Sequence, residues 1–221
     1  MKFQAFIFDL DNVLIDSEKL WPKIDQAFFS DYLGVEGWQK WQPIWLEQKK
    51  NMVQLREIMA ELKEMFNKEE PVLEIMDLRM AKMFEVYKEE LTIRPGAQKL
   101  LEKLKEENMP TAVASGMNLK VIKFVIDLFN WQEYISVLAS SHECSKNKPD
   151  PEVFFLAAKR LSVEPKSCLA VENDLNGVKA AKAAGMYTVA VPYPLEQTAE
   201  IRNLADLTLN SLAELDLDEI G

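Results

Sequence analysis

The hydrophobic rhythm of the chain changes twice along its length. From Phe3 to Phe8 it reads FQAFIF, an aromatic-rich apolar run without helical spacing that stops at Asp9 and predicts a buried strand. Between about Ser17 and Glu90 the spacing becomes helical. Trp21, Ile24, Phe28 and Tyr32 form one series, Leu55, Ile58, Met59, Leu62 and Met65 a second, and Leu73, Met76, Met80, Met83, Phe84 and Tyr87 a third. The block is predicted to be all helix. It holds six of the ten methionines (Met52, Met59, Met65, Met76, Met80 and Met83), which suits an adaptable packing surface.

After the turn signal Arg94-Pro95-Gly96 the elements alternate. Leu100, Leu101 and Leu104 predict a helix closed by Asn108 and Pro110. The stretch TAVAS, Thr111 to Ser115, predicts a strand, Leu119 to Phe129 a helix, and Tyr134 to Ala139 a strand. A helix follows from Pro151 to Leu161, with the proline in its first turn. Ser167 to Val171 predicts another strand, Gly177 to Ala184 a helix stopped by Gly185, Tyr187 to Val191 a strand, and Leu207 to Leu209 a last short one. Such alternation predicts an α/β fold, a Rossmann-like parallel sheet covered on both faces with its ligand site at the carboxyl ends of the strands. The first strand joins that sheet, so residues 1–16 and 91–221 form the core and residues 17–90 an inserted helical cap domain. The linkers near Val13 to Ser17 and Leu91 to Pro95 are candidate hinges. No internal repeat is present.

Composition narrows the partners. With 48% hydrophobic residues and only 7 glycines and 10 prolines, disorder and low-complexity architectures are excluded. Twenty-six basic against 36 acidic residues leave a net charge of -10, which repels a phosphate backbone, so no nucleic acid partner is expected. A small anionic substrate then needs local positive charge from a lysine, from backbone N–H groups or from a bound cation. The two cysteines, Cys144 and Cys168, have no metal-ligand spacing, which suits a reducing compartment. Acidic residues break the N-terminal apolar stretch from Asp9 onward, and no apolar run reaches the length of about eighteen residues that a membrane span needs. The expectation is a cytoplasmic monomer without membrane partners.

Four polar clusters lie just beyond predicted strand ends. In Asp9-Leu10-Asp11-Asn12, two carboxylates two residues apart could serve as nucleophile and as general acid or base; turn and capping residues would look the same. Ser115-Gly116-Met117-Asn118 could offer a hydroxyl and free N–H groups to phosphate oxygens, or Ser115 or Asn118 could simply cap the next helix. Lys148, between prolines and close to its decoy Lys146, could offset charge between a carboxylate and a phosphate. Glu172-Asn173-Asp174 could complete a magnesium site with Asp9 and a backbone carbonyl, or cap the following helix.

In this order, each after a strand, the clusters resemble the haloacid dehalogenase (HAD) superfamily of phosphohydrolases, in the branch with a helical cap between its first and second motifs. FDLDNVLIDSE is similar to the family's FDxDGxLxDSE, PGAQKLLEKLKEENMPTAVAS to PGxxxLLxxLxxxGxxxAxxS, KPDPEVF to KPxPxxF, and ENDLNGVKAAKAAGM to EDSxxGVxAAxAAGM. The resemblance spans nearly the whole core; the cap shares mainly its helical character.

It implies an aspartyl phosphate on Asp9, proton transfers by Asp11, phosphoryl oxygens held by Ser115 and the Gly116 N–H with Asn118 nearby, and charge stabilisation by Lys148. It also implies Mg2+ at Asp9, the Asp11 carbonyl, Glu172 and Asn173, with Asp174 as the alternative to Asn173. Asn12 stands where the family has glycine, and Asn173 where it has aspartate. The implied substrate is a small phosphorylated metabolite.

In the cap, Trp21, Trp38, Trp41 and Trp45 could form an aromatic face against a sugar ring, with Trp21 as the candidate substrate contact, or fill the cap core, which general burial habits favour. The opening DSEKLW and the stretch TVAVPYPLEQ resemble the hexose and hexitol phosphate phosphatases. The related β-phosphoglucomutases commonly carry a histidine near Trp21, and the only histidine here is His142. A magnesium-dependent sugar-phosphate phosphatase is therefore expected, with a sugar phosphomutase and a catalytically weak phosphate-binding protein as the alternatives.

Overall fold

A computed structural model describes residues 2–51, 53–193, 198–218 and 220, without the side chain of Thr198. Met52 of the methionine-rich block and the PLEQ end of the TVAVPYPLEQ stretch lie outside the described residues. The chain divides into two compact units, one of Met1–Glu18 with Thr92–Gly221 and the other of Lys19–Leu91.

The first unit is built on a six-stranded sheet whose named neighbours all run parallel. Its strands are β1 (Ala5–Phe8), β2 (Thr111–Ser115), β3 (Val137–Ser140), β4 (Cys168–Glu172), β5 (Tyr187–Ala190) and β6 (Leu207–Thr208), in the order β3-β2-β1-β4-β5-β6. The chain leaves β1 toward β2 and β3, then crosses back to lay β4 on the other side of β1. That reversal opens a crevice beyond the carboxyl end of β1, where ligands of such sheets bind. The burial of all four β1 residues accounts for the unbroken apolar run, because a central parallel strand has no solvent face.

One face of the sheet is lined by small side chains. Ala5, Ala112, Ala114, Ala139 and Ala170 pack with Val153, Phe154, Ala157 and Ala158 of one helix and Ala180 and Ala181 of another. Alanine on both surfaces lets helix and sheet approach closely. Four helices belong to this core before β5: α4 (Ala97–Glu106), α5 (Leu119–Leu128), α6 (Glu152–Leu161) and α7 (Leu175–Ala183). They are numbered after the three of the insert.

The second unit is helical throughout its long elements, α1 (Trp21–Lys50), α2 (Leu55–Met65) and α3 (Val72–Glu90). Gly34 breaks α1 with φ 74° and ψ 165°, so the element is two helical segments joined at a kink. Trp38, Trp41 and Trp45 fill the core of this unit with Phe28, Phe29, Ile58, Met59 and Leu62. At the head of α1, Trp21 meets Tyr87 edge-on at 6.4 Å between centroids, and the Arg79 guanidinium lies over its ring at 5.6 Å.

Several boundaries differ from the expectation. Residues 134–136 follow a 3-10 turn, Trp131–Glu133, in which the Trp131 carbonyl takes the Tyr134 and Ile135 N–H groups, so β3 begins only at Val137. Phe3 and Gln4 precede β1, and a short helix α8 (Thr198–Leu204) lies between β5 and β6. No helix among the described residues is long and apolar enough to cross a membrane.

Candidate active site

Asp9 is the first residue beyond β1. Its N–H donates to the Val171 carbonyl at 2.9 Å, which extends the ladder with β4 by one residue and fixes where the side chain leaves the sheet. Lys148, from the loop after β3, reaches it across 139 positions of sequence. Its ammonium donates to Asp9 Oδ1 at 2.6 Å, to Glu172 Oε1 at 2.5 Å and to the Ala114 carbonyl at 3.0 Å. These three bonds use all three ammonium donors. Lys146, by contrast, is solvent-facing and pairs with Asp150 at 3.5 Å.

Burial dominates the electrostatics of this triangle. It pushes the Asp9 carboxyl above its ordinary range, while Lys148 pulls it down and Asp174 adds a further upward push. Burial also drives Glu172 up to about 8, against Lys148 and with help from Asp9 and Asp174. For Lys148 burial alone would lower the pKa, yet the Asp9 and Glu172 carboxylates outweigh it and hold the ammonium above its usual value. Two carboxylates thus share one buried cation, with Asp174 close enough to act on both of them.

Around the triangle lies a cavity of about 430 Å³ whose wall includes Asp9, Asp11, Ser115, Gly116, Lys148 and Asn173. Ser115 ends β2, and its hydroxyl accepts the Met117 N–H at 3.1 Å, which leaves the hydroxyl proton to donate elsewhere. Asn118, expected at the substrate, is instead the N-cap of α5: its carboxamide oxygen accepts the Lys120 N–H at 2.9 Å. Asn12 stands at φ 59°, where glycine is usually required, and its carboxamide clasps Glu18 by donating to Oε2 at 3.1 Å and accepting the Glu18 N–H at 3.3 Å.

At the end of β4, Glu172 is 1% exposed, and an added Cβ on Gly177 would overlap its carboxyl. Glycine is therefore required in the first turn of α7. Asn173 donates through Nδ2 to the Tyr193 carbonyl at 2.7 Å, which turns its carboxamide oxygen the other way. Asp174 caps α7 by accepting the Gly177 N–H at 2.7 Å.

Among the described residues, no three His, Cys, Asp or Glu side chains cluster so as to hold a metal by themselves. Magnesium does not require that, since it retains waters and commonly takes one or two carboxylates with substrate phosphate. Carboxylates in excess of the one buried ammonium, with a neutral amide beside them, form a hard-oxygen set that fits it.

The structure therefore places Asp9, Asp11, Ser115, Gly116, Lys148 and Asn173 around one cavity with Glu172 directly beneath, and it keeps Trp21 in the helical unit. Ser141, Asn147, Asn176 and Tyr193 also line the cavity, and no spacing in the sequence singles them out.

Comparison with known proteins identifies the family and the fold. The haloacid dehalogenase-like hydrolase profile matches residues 3–185. The chain is similar to hexitol phosphatase B of Escherichia coli strain K12, with 30% identity over 216 residues that cover 96% of this chain and 93% of that protein. It is 38% identical over 140 residues, 63% of its length, to the bifunctional riboflavin kinase/FMN phosphatase of Arabidopsis thaliana, of which the match spans 37%. Its fold matches the crystal structure of CbbY from Rhodobacter sphaeroides in complex with phosphate with a TM-score of 0.76 and 25% identity, over 96% of both chains. With the family's pattern running through most of the sheet and its strand-end residues gathered in one cavity, the chain belongs to the haloacid dehalogenase-like hydrolases.

Proposed function

We propose that the protein is a magnesium-dependent phosphatase of small phosphate monoesters, sugar phosphates foremost, acting through an aspartyl phosphate on Asp9. The observation that carries this reading is the Lys148 ammonium, bonded to both Asp9 and Glu172 at the floor of a cavity. A buried carboxylate is a nucleophile only while ionised, and Lys148 opposes the effect of burial on Asp9. The Asp11 N–H also bonds the Asp9 carboxylate and helps to orient it.

In the first step an Asp9 oxygen forms a bond to phosphorus as the ester P–O bond breaks, and Asp11 gives its proton to the departing alcohol. In the second, Asp11 takes a proton from water as the water oxygen bonds to phosphorus. The Asp9–phosphorus bond then breaks and inorganic phosphate leaves. Ser115 and the Gly116 N–H hold the phosphoryl oxygens throughout. Asp9, the Asp11 carbonyl and Asn173 would hold Mg2+, with Glu172 beside them fixing Lys148. When bound, the cation supplies positive charge against the phosphoryl oxygens. Hydrolysis of sugar phosphates rests on the similarity to hexitol phosphatase B over nearly the whole chain. The cavity suits a small phosphorylated metabolite, and the free thiols of Cys144 and Cys168 suit a reducing compartment.

The test is phosphate release from a broad panel of phosphorylated metabolites with magnesium. Hexose or hexitol phosphates should be hydrolysed, and both chelation and Asp9→Asn should abolish release. Interconversion of phosphate positions without net release would instead mark a mutase.

A further inference from the structure

The register that pairs Ser115 with Ser140 sets the carboxyl end of β3 beside that of β2. The next residue, Ser141, lines the same cavity as Asp9 and Ser115. Its neighbours are fully engaged. The Ser140 hydroxyl donates to the Met117 carbonyl at 2.6 Å and accepts the His142 N–H at 3.1 Å, while Glu143 accepts from the Ser140 N–H at 3.0 Å and from Arg160 at 2.8 Å. These bonds shape the turn without any help from the Ser141 side chain. Ser141 is 2% exposed, and its hydroxyl has no hydrogen-bond partner among the described residues. A buried hydroxyl left unpaired destabilises a fold, so it calls for a partner that arrives from outside.

The cavity supplies the chemistry of that partner. A phosphoryl dianion entering it meets Asp9, Asp11 and Asp174, and the three donors of Lys148 already serve Asp9, Glu172 and Ala114. Neutral donors must therefore take its oxygens. Ser115 at the end of β2 and Gly116 just beyond it provide two, and Ser141 follows β3, one strand further from β1 and β4, beyond whose ends Asp9, Asp11 and Asp174 lie. A single χ1 rotation moves a serine hydroxyl among its three staggered positions, so it can turn toward a ligand without backbone movement. We propose that Ser141 is a substrate-binding residue whose hydroxyl donates to a phosphoryl oxygen held beside Ser115. The inference rests on the phosphatase reading of this cavity.

Ser141→Ala removes the hydroxyl without breaking any internal hydrogen bond. Calorimetric titration with inorganic phosphate in the presence of magnesium should give a Kd raised about tenfold, the loss typical of a hydrogen bond to a charged group, while the thermal midpoint stays level or rises. A purely structural serine would not combine those two effects. An unchanged Kd overturns the inference, whether or not esters are hydrolysed. Phosphate binding that depends on Ser141 in a protein that hydrolyses no ester would uphold the Ser141 site and overturn the phosphatase reading alone. Absence of phosphate binding in the wild type overturns the Ser141 inference and leaves the phosphatase reading to the hydrolysis panel.

Discussion

At the scale of single residues, the site is governed by how one ammonium is divided between two buried carboxylates. Lys148→Met leaves Asp9 and Glu172 buried without a cation, and breaking such a pair typically costs about 3–5 kcal/mol. Urea denaturation at pH 8 should show a loss of that order, and phosphatase turnover should fall at least a hundredfold, roughly the contribution of a positioned charge. Glu172 gives the pH dependence its sign. Between the ordinary glutamate pKa of about 4.3 and the value of about 8 that burial imposes, the folded protein holds a proton that the unfolded chain has released. Stability of the metal-free protein should therefore fall as pH rises across that interval, and Glu172→Gln should flatten the slope. A denaturation series in chelator checks this. Asn12 shows what is legible in the sequence at this scale: its tolerance of positive φ follows from residue type, whereas its clasp on Glu18 depends on the folded path of the chain. Asn12→Ala should cost about 1–2 kcal/mol from the left-handed backbone, and Asn12→Gly less.

At the scale of elements, the strands of the core are readable because a parallel sheet buried on both faces demands unbroken apolar runs, and β1, β2 and β4 supply them. The strand ends carry the chemistry for the same reason: Asp9, Ser115 and Glu172 sit where those apolar runs stop. The rest depends on partners that no local pattern announces. Tyr134 has the aromatic character of a strand residue, yet a 3-10 turn captures its N–H. The kink in α1 comes from the positive φ of one glycine within otherwise helical spacing. Ser141 is a plain serine until the register places it on the cavity. The helix α7 provides a prediction of its own, because its first turn presses on Glu172. Gly177→Ala should destabilise by about 1–3 kcal/mol, the usual range for overpacking, and lower turnover. Gly116→Ala, where an added Cβ meets nothing within 4 Å, should leave the thermal midpoint unchanged. Thermal melts of the two variants side by side make the comparison.

At the scale of the whole molecule, each unit has a core of its own, one gathered under the sheet and one around the tryptophans of α1. The two chain crossings lie side by side: the Asp16 N–H donates to the Thr92 carbonyl and the Arg94 N–H to the Leu14 carbonyl, both at 2.9 Å. Replacing Lys19–Leu91 with a short Gly/Ser linker should therefore leave a core that unfolds cooperatively by circular dichroism, and a molten product would contradict the independence of the two cores. The net charge of -10 sets the electrostatic problem that the cavity must solve, with Lys148, neutral donors and a divalent cation as the proposed answer. The central claim is that phosphorus passes through a covalent bond to Asp9. It is tested most directly by hydrolysing a thiophosphate monoester made chiral at phosphorus by two different oxygen isotopes, in water carrying the third isotope, and reading the configuration of the released inorganic thiophosphate. Two successive in-line displacements predict net retention, and net inversion would mean that water attacks the ester directly and that Asp9 is not the nucleophile.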